Sequence, residues 1–198
     1  MDIVIENLYK KYDNLSIFEN FSLTIRNNKI FCLFGPSGCG KTTLLNMIAG
    51  LENYDGGNIK GIENKKISYI FQETRLLPWA SVYENISFVL KSTCSKDETE
   101  KLVNKYLKLV SLKEYKDYYP NQLSGGMEQR VSIARCFAYK SDIILMDEPF
   151  KGLDLKLKEN LMKDFRELWK ENKPTVIFVT HDKEEAKYLA DEVFYFGS

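Results

Sequence analysis

The sequence predicts an α/β domain built on a mostly parallel central sheet, and three observations carry that prediction. The apolar run Ile30-Phe31-Cys32-Leu33-Phe34 leads into Gly35-Pro36-Ser37-Gly38-Cys39-Gly40-Lys41-Thr42-Thr43, and Leu44, Leu45, Met47, Ile48 and Ala49 follow at helical spacing. That order is strand, glycine loop, helix. Ile143-Ile144-Leu145-Met146 and Val176-Ile177-Phe178-Val179 are unbroken apolar runs that end in polar residues, the mark of strands buried on both faces with helices on each side. Between them, residues 155–171 have the charged, amphipathic pattern of such a helix. A chain of 198 residues is long enough for one domain with a real core and an inserted subdomain.

In order along the chain, Ile3 and Ile5 alternate with polar neighbours, and Phe21-Ser22-Leu23-Thr24-Ile25 alternates again, so both read as β segments. Tyr12 falls in the polar loop expected between them, where surface packing is the simplest role, and Asn27-Asn28 reads as a turn. After the first helix, Asp55-Gly56-Gly57-Asn58 reads as a turn and Ile67-Ser68-Tyr69-Ile70-Phe71 as a strand ending at Gln72. Glu73-Thr74-Arg75-Leu76-Leu77-Pro78-Trp79 is expected to be a loop exposing apolar residues, because Pro78 forbids a regular element. Val82, Ile86, Val89 and Leu90 suggest a short helix, and Ser95 with Glu98 makes a capping-box pattern before Leu102, Val103, Tyr106, Leu107 and Val110. Pro120-Asn121-Gln122-Leu123-Ser124-Gly125-Gly126 breaks the pattern before a helix through Arg130, Val131, Ala134, Arg135 and Phe137. A helix over 183–190 and a strand over 193–196 finish the chain.

Composition sets bounds. Lys and Arg total 28 against 28 Asp and Glu, so no global charge points to nucleic acid or an anionic membrane, and no nucleic-acid partner is expected. The four cysteines are scattered without a C-x-x-C pair, which reads as a reduced, cytosolic protein without structural zinc. Cys39 reads as a small residue tolerated within the glycine loop. The start has no basic segment before a long apolar core, and no apolar run approaches the roughly 20 residues of a membrane span. Any membrane connection is therefore expected through a partner.

The glycine loop has the G-x-x-x-x-G-K-T spacing of a phosphate cradle. Glycines let successive backbone N–H groups turn toward one point, and the following helix offers its positive end there. Lys41 is placed to reach the β- and γ-phosphates of a nucleoside triphosphate and the Thr42 hydroxyl to bind the accompanying magnesium. Asp147 ends a buried strand, where it can hold that magnesium directly or through water, and Glu148 can orient or deprotonate the attacking water. His181, the only histidine, also ends a buried strand, where α/β sites open; a hydrogen bond to the γ-phosphate is its expected task. Ser124-Gly125-Gly126 before a helix makes a second anion site. One nucleotide does not need two cradles in one chain, but two chains packed head to tail do.

These motifs resemble the ATP-binding subunits of ABC transporters, and the likeness covers essentially the whole chain in the right order. It implies a P-loop NTPase core of ABC type, with an antiparallel β subdomain and a helical subdomain beside the parallel sheet. Residues 1–73 and 140–198 would form the first two, and 74–139 the third. Residues 35–43 match the family's Walker A motif, Gln72 its Q-loop, residues 123–127 its signature loop and residues 143–147 its Walker B motif. Glu148 matches the catalytic glutamate, Leu153-Asp154 the D-loop and His181 the switch histidine. Tyr12 falls where the family stacks an aromatic ring on adenine. The resemblance implies ATP and Mg2+ as cofactors, with Lys41, Gln72, Glu148 and His181 serving hydrolysis and Thr42, Gln72 and Asp147 serving the metal. It also implies an ATP-bound homodimer in which Ser124, Gly125, Gly126 and Asp154 face the partner's nucleotide.

A closer resemblance is to importer ATPases of the nitrate, sulfonate, taurine and thiamine-precursor group. Phe71-Gln72-Glu73-x-Arg75-Leu76-Leu77-Pro78-Trp79 is similar to that group's run, as is Leu-Ser-Gly-Gly-Met followed by Gln129-Arg130. It implies an integral membrane permease docking near residues 72–79, a solute-binding protein acting through it, and a peripheral place on the cytoplasmic membrane face. Ordinary packing of Leu76, Leu77 and Trp79 stays open beside docking. An exporter or lipoprotein-release ATPase, or an ABC ATPase without a transport role, is the alternative. Two features depart from the group: Lys151-Gly152 stand where a small residue and alanine are usual, and the sequence stops at Ser198, straight after its last strand. A minimal ATPase, a truncation or a missing tail would each give that end.

Overall fold

The computed structural model describes residues 1–13 and 15–197, so Ser198, on which the reading of the chain's end turns, lies outside them. The described residues fall into two compact units. One comprises residues 1–69, 142–148 and the stretch from 173 onward; the other comprises 70–141 and 149–172.

The first unit holds two sheets. β1 (Ile3–Tyr12), β2 (Leu15–Ile25) and β4 (Gly56–Lys60) form an antiparallel sheet in the order β2-β1-β4. β3 (Ile30–Phe34), β5 (Ile67–Ile70), β6 (Ile143–Asp147), β7 (Thr175–Thr180) and β8 (Glu192–Tyr195) form the second, in the order β5-β6-β7-β3-β8. Its β6–β7, β7–β3 and β3–β8 pairs are parallel. Every residue of β6 and β7 is buried, as their continuous apolar runs require. α1 (Lys41–Ile48) buries Leu44, Leu45, Met47 and Ile48 in a core shared with Ile5, Leu8, Leu145 and Ile177. α6 (Lys183–Leu189) starts at Asp182, whose carboxylate accepts from the Glu184 and Glu185 N–H groups.

Two expectations change here. Tyr12 is not in a loop but is the last residue of β1, paired with Leu15. Residues 56–58 form the start of β4 rather than a turn. Both differences come from β-bulges: the β1–β2 register shifts three times after Ile5 and the β1–β4 register shifts between Glu6 and Tyr9, so the two-residue period that marks a strand is lost. Gly57 is glycine because it sits at φ +89° with the Asn7 carbonyl oxygen 2.3 Å from where a Cβ would be. Gly57→Ala is expected to lose about 3 kcal/mol of stability, from backbone strain and forced displacement of β1 together; denaturant unfolding measures it.

The second unit is helical. α2 (Val82–Ser87), α3 (Lys96–Leu109), α4 (Gly125–Ala138) and α5 (Leu155–Asn172) pack with α4 touching each of the others. Phe137 of α4 meets Phe165 of α5 edge-on, ring centroids 5.1 Å apart. The Ser95–Glu98 capping box forms as its pattern predicts, and a second one, Ser81 with Glu84, opens α2. No helix among the described residues is long and apolar enough to cross a membrane.

Candidate nucleotide site

Three parallel strands of the first unit deliver the candidate residues to one end of the sheet. β3 runs into residues 35–40, β6 ends at Asp147 and β7 ends before His181. The register pairs Asp147 with Val179 and Phe34 with Thr180, so the carboxyl ends of the strands lie side by side, the usual place for a site in such sheets.

Gly40 caps α1 in the left-handed conformation, φ +94°. A Cβ there would lie 2.7 Å from Ile17 and 2.9 Å from Phe18, so glycine serves both the loop's turn and its packing against β2. Lys41 folds back over the loop. Its ammonium, on a side chain of a residue only 5% exposed, donates to the carbonyls of Gly35 at 2.9 Å and Pro36 at 2.5 Å, with Cys39 Sγ at 3.6 Å. No carboxylate pairs with it among the described residues. A buried cation held only by carbonyl dipoles is costly, and an anionic phosphate entering the loop answers that cost. Ser37 and Gly38 are exposed.

The Thr42 hydroxyl donates to Asp147 Oδ2 at 2.8 Å. A hydroxyl and a carboxylate oxygen at one point are hard donors of the kind Mg2+ takes alongside phosphate oxygens and water. No cluster of three His, Cys, Asp or Glu able to hold a metal occurs among the described residues, and a nucleotide-bound Mg2+ does not need one.

Glu148 follows Asp147 at φ +44°, a conformation that strains a side chain longer than glycine's. Its N–H donates to the Val179 carbonyl at 3.1 Å. Its Oε1 lies 3.0 Å from Nδ1 of His181, and the histidine side chain is 57% exposed while the glutamate is 11% exposed. The turn carrying His181 is fixed from behind, where the Thr180 hydroxyl donates to the buried Glu185 carboxylate at 2.6 Å and accepts from the Asp182 N–H at 3.0 Å.

Tyr12 stands beside the loop, its hydroxyl donating to Glu52 Oε1, with Thr43 bonded to the same phenol. The bond to the Glu52 carboxylate holds the phenol above the ordinary tyrosine range and, from the other side, holds Glu52 below the ordinary carboxylate range. The Lys10 ammonium lies 4.6 Å from the centre of the Tyr12 ring and 3.0 Å from Glu52. Sequence reasoning misses Lys10 and Glu52. Nothing in a chain marks Lys10 and Glu52 as neighbours when each reads as surface charge.

The remaining candidates belong to the second unit. Gln72 is exposed just beyond β5. Ser124 caps α4, its hydroxyl accepting from the Met127 N–H at 3.3 Å, with Gly125 and Gly126 in the first turn. Asp154 caps α5 by accepting from the Leu157 N–H at 3.0 Å. The expected exposure of the 73–79 loop holds for Trp79, which is 74% exposed, but Leu76 and Leu77 are half-buried. The structure thus gathers Tyr12, residues 35–43, Asp147, Glu148 and His181 on one unit and leaves Gln72, Ser124, Gly125, Gly126 and Asp154 on the other.

Fold and phosphate loop together define a P-loop nucleotide-binding domain. The model of the ABC transporter family matches residues 18–151, and the chain belongs to that family as an ATP-binding subunit. It is similar to the Fe(3+) ions import ATP-binding protein of Fusobacterium nucleatum, 41% identical over 98% of this chain and 55% of that protein. It is also similar to the sulfate/thiosulfate import ATP-binding protein of Neisseria meningitidis, 40% identical over 98% of this chain and 58% of that protein. The chain therefore spans little more than half the length of these two relatives. Among solved structures it superimposes on a dimeric ATP-binding cassette in a post-hydrolysis state bound to ADP and Pi, with TM-score 0.87 and 31% identity over 98% of this chain and 94% of that one.

Proposed function

We propose that this chain binds and hydrolyses ATP to energise an importer. The observation that carries the reading lies at the head of α1, where the buried Lys41 ammonium rests against the Gly35 and Pro36 carbonyls and the hydroxyl of the next residue, Thr42, donates to Asp147 at 2.8 Å. Lys41 holds the β- and γ-phosphates while residues 35–40, Thr42 and Thr43 enclose them with backbone and hydroxyl donors. Thr42 and Asp147 would hold Mg2+, which when bound neutralises phosphate charge. Glu148 takes up the proton of the attacking water, and His181, 3.0 Å away, orients that carboxylate and donates to the γ-phosphate. Tyr12 offers its ring to adenine. The chain contributes mainly position and charge, as phosphoryl transfer requires.

A second copy completes the site. Ser124 and Gly125 present an exposed helix start, Gly126 is half-buried against Leu153 and Leu157, and a Cβ on Gly125 would meet nothing within 4 Å. Its own fold therefore gives no steric reason for a glycine that costs about 1 kcal/mol in a helix, which supports close approach by a ligand from outside. That ligand is the nucleotide held by the other copy, with Asp154 at the same seam. The importer's permease docks near residues 72–79, a solute-binding protein acts through it, and the chain sits at the cytoplasmic membrane face without crossing it.

The residues 71–79 and 123–127 support the nitrate, sulfonate, taurine and thiamine-precursor group as the finer class. Uptake of labelled taurine and nitrate by a reconstituted complex tests that class separately. The central reading is tested with Glu148→Gln. Light scattering is expected to show a dimer with Mg-ATP and a monomer without it; a monomer at millimolar ATP overturns the sandwich.

A further inference from the structure

The half-buried loop leading to Trp79 is fastened to α4 by side chains that the ATPase reading leaves unused. Asn85 of α2 is completely buried and makes bonds in every direction. Its Nδ2 donates to the carbonyls of Leu77, Ala80 and Ser81 at 3.2, 3.0 and 3.1 Å. Its Oδ1 accepts from the Leu77 N–H at 2.8 Å and from Arg135 Nη1 at 3.4 Å. Arg135, on α4, sends its other terminal nitrogen to the Arg75 carbonyl at 2.8 Å. One α-helical face carries a second tie, because Glu128 stands seven residues, or about two turns, before Arg135 and accepts from the Thr74 hydroxyl. Burial pulls the Arg135 guanidinium below its ordinary pKa.

A network this closed is stiff. The buried Asn85 amide strands its other partners if it loses one, so the arrangement resists partial opening. The loop is held at Thr74 and Arg75 by α4 directly and at Leu77, Ala80 and Ser81 through Asn85, which itself bonds to α4. The start of α4 is Ser124, Gly125 and Gly126.

We propose that Asn85 and Arg135 are positioning residues that make residues 74–81 and α4 one mechanical piece, so that an element seated on Trp79 sets where Ser124, Gly125 and Gly126 lie. This rests on the sandwich reading above, in which those three residues meet the other copy's nucleotide. By reciprocity, closing α4 on nucleotide must also restrain the loop.

The experiment is hydrogen exchange on full-length Glu148→Gln, with and without Mg-ATP, read at amides 75–81 and 124–128. Mg-ATP is expected to slow both segments by about tenfold. In Glu148→Gln carrying Arg135→Met, the slowing at 124–128 persists while that at 75–81 falls below about twofold. A purely structural role would instead raise exchange at 75–81 with and without nucleotide and leave the response to ATP intact; that result overturns the proposal. Should Arg135→Met fail to fold, Arg135→Lys keeps the charge but has no fork to span both acceptors. It is expected to lose most of the response at 75–81, and an unchanged response overturns the proposal. No slowing at 124–128 in the parent means that the sandwich itself fails and the relay falls with it.

Discussion

Glu148→Gln is expected to lower ATP turnover about a thousandfold, within the range a positioned general base contributes. The amide keeps the carboxylate's size and one acceptor oxygen, so the 3.0 Å contact with His181 survives as a neutral hydrogen bond. What disappears is the capacity to accept water's proton. Nucleotide affinity should change little, because the groups placed to meet phosphate are Lys41, Thr42 and the loop. Phosphate release under saturating ATP measures turnover, and a fluorescent ATP analogue measures affinity. Turnover within a few-fold of the parent would remove Glu148 from the chemistry.

Lys41→Met should act on the opposite quantity. A hydrogen bond to a charged group is worth about 1.5–3 kcal/mol, so deleting this cation is expected to weaken ATP binding by between about tenfold and a hundredfold. Folding stability should respond differently. The parent buries the ammonium against the Gly35 and Pro36 carbonyls, at a desolvation cost that methionine does not incur. The nucleotide-free variant is therefore expected to unfold within a few degrees of the parent, while the rise in melting temperature that saturating ATP gives the parent largely vanishes. A large drop in the nucleotide-free melting temperature would mean that Lys41 chiefly holds the loop together.

The parallel sheet was legible because its signal is local. The runs through Ile143–Asp147 and Thr175–Thr180 are apolar without interruption, and only a strand covered on both sides tolerates that. The phosphate loop was legible for a related reason, since its glycines, lysine and threonine all lie within nine positions. The antiparallel sheet was harder to read. Bulges at Asn7 and Gly57 displace the alternation, so the end of β1 was expected as loop and the start of β4 as turn. The surroundings of Tyr12 were hidden altogether, because Glu52 reaches it from 40 positions away. Asn85 likewise reads as one more polar residue of a short helix, and only its complete burial separates it from its neighbours.

The left-handed backbone at Glu148 has a consequence for anyone seeking a hardier version of this protein. Judged by local geometry, the position belongs to glycine or asparagine, and a stability-guided redesign would choose one of them first. The same exchange would erase the group on which hydrolysis turns. Heat tolerance and turnover pull against each other at this residue, so consensus or computational stabilisation of the chain has to hold it fixed and look for gains elsewhere.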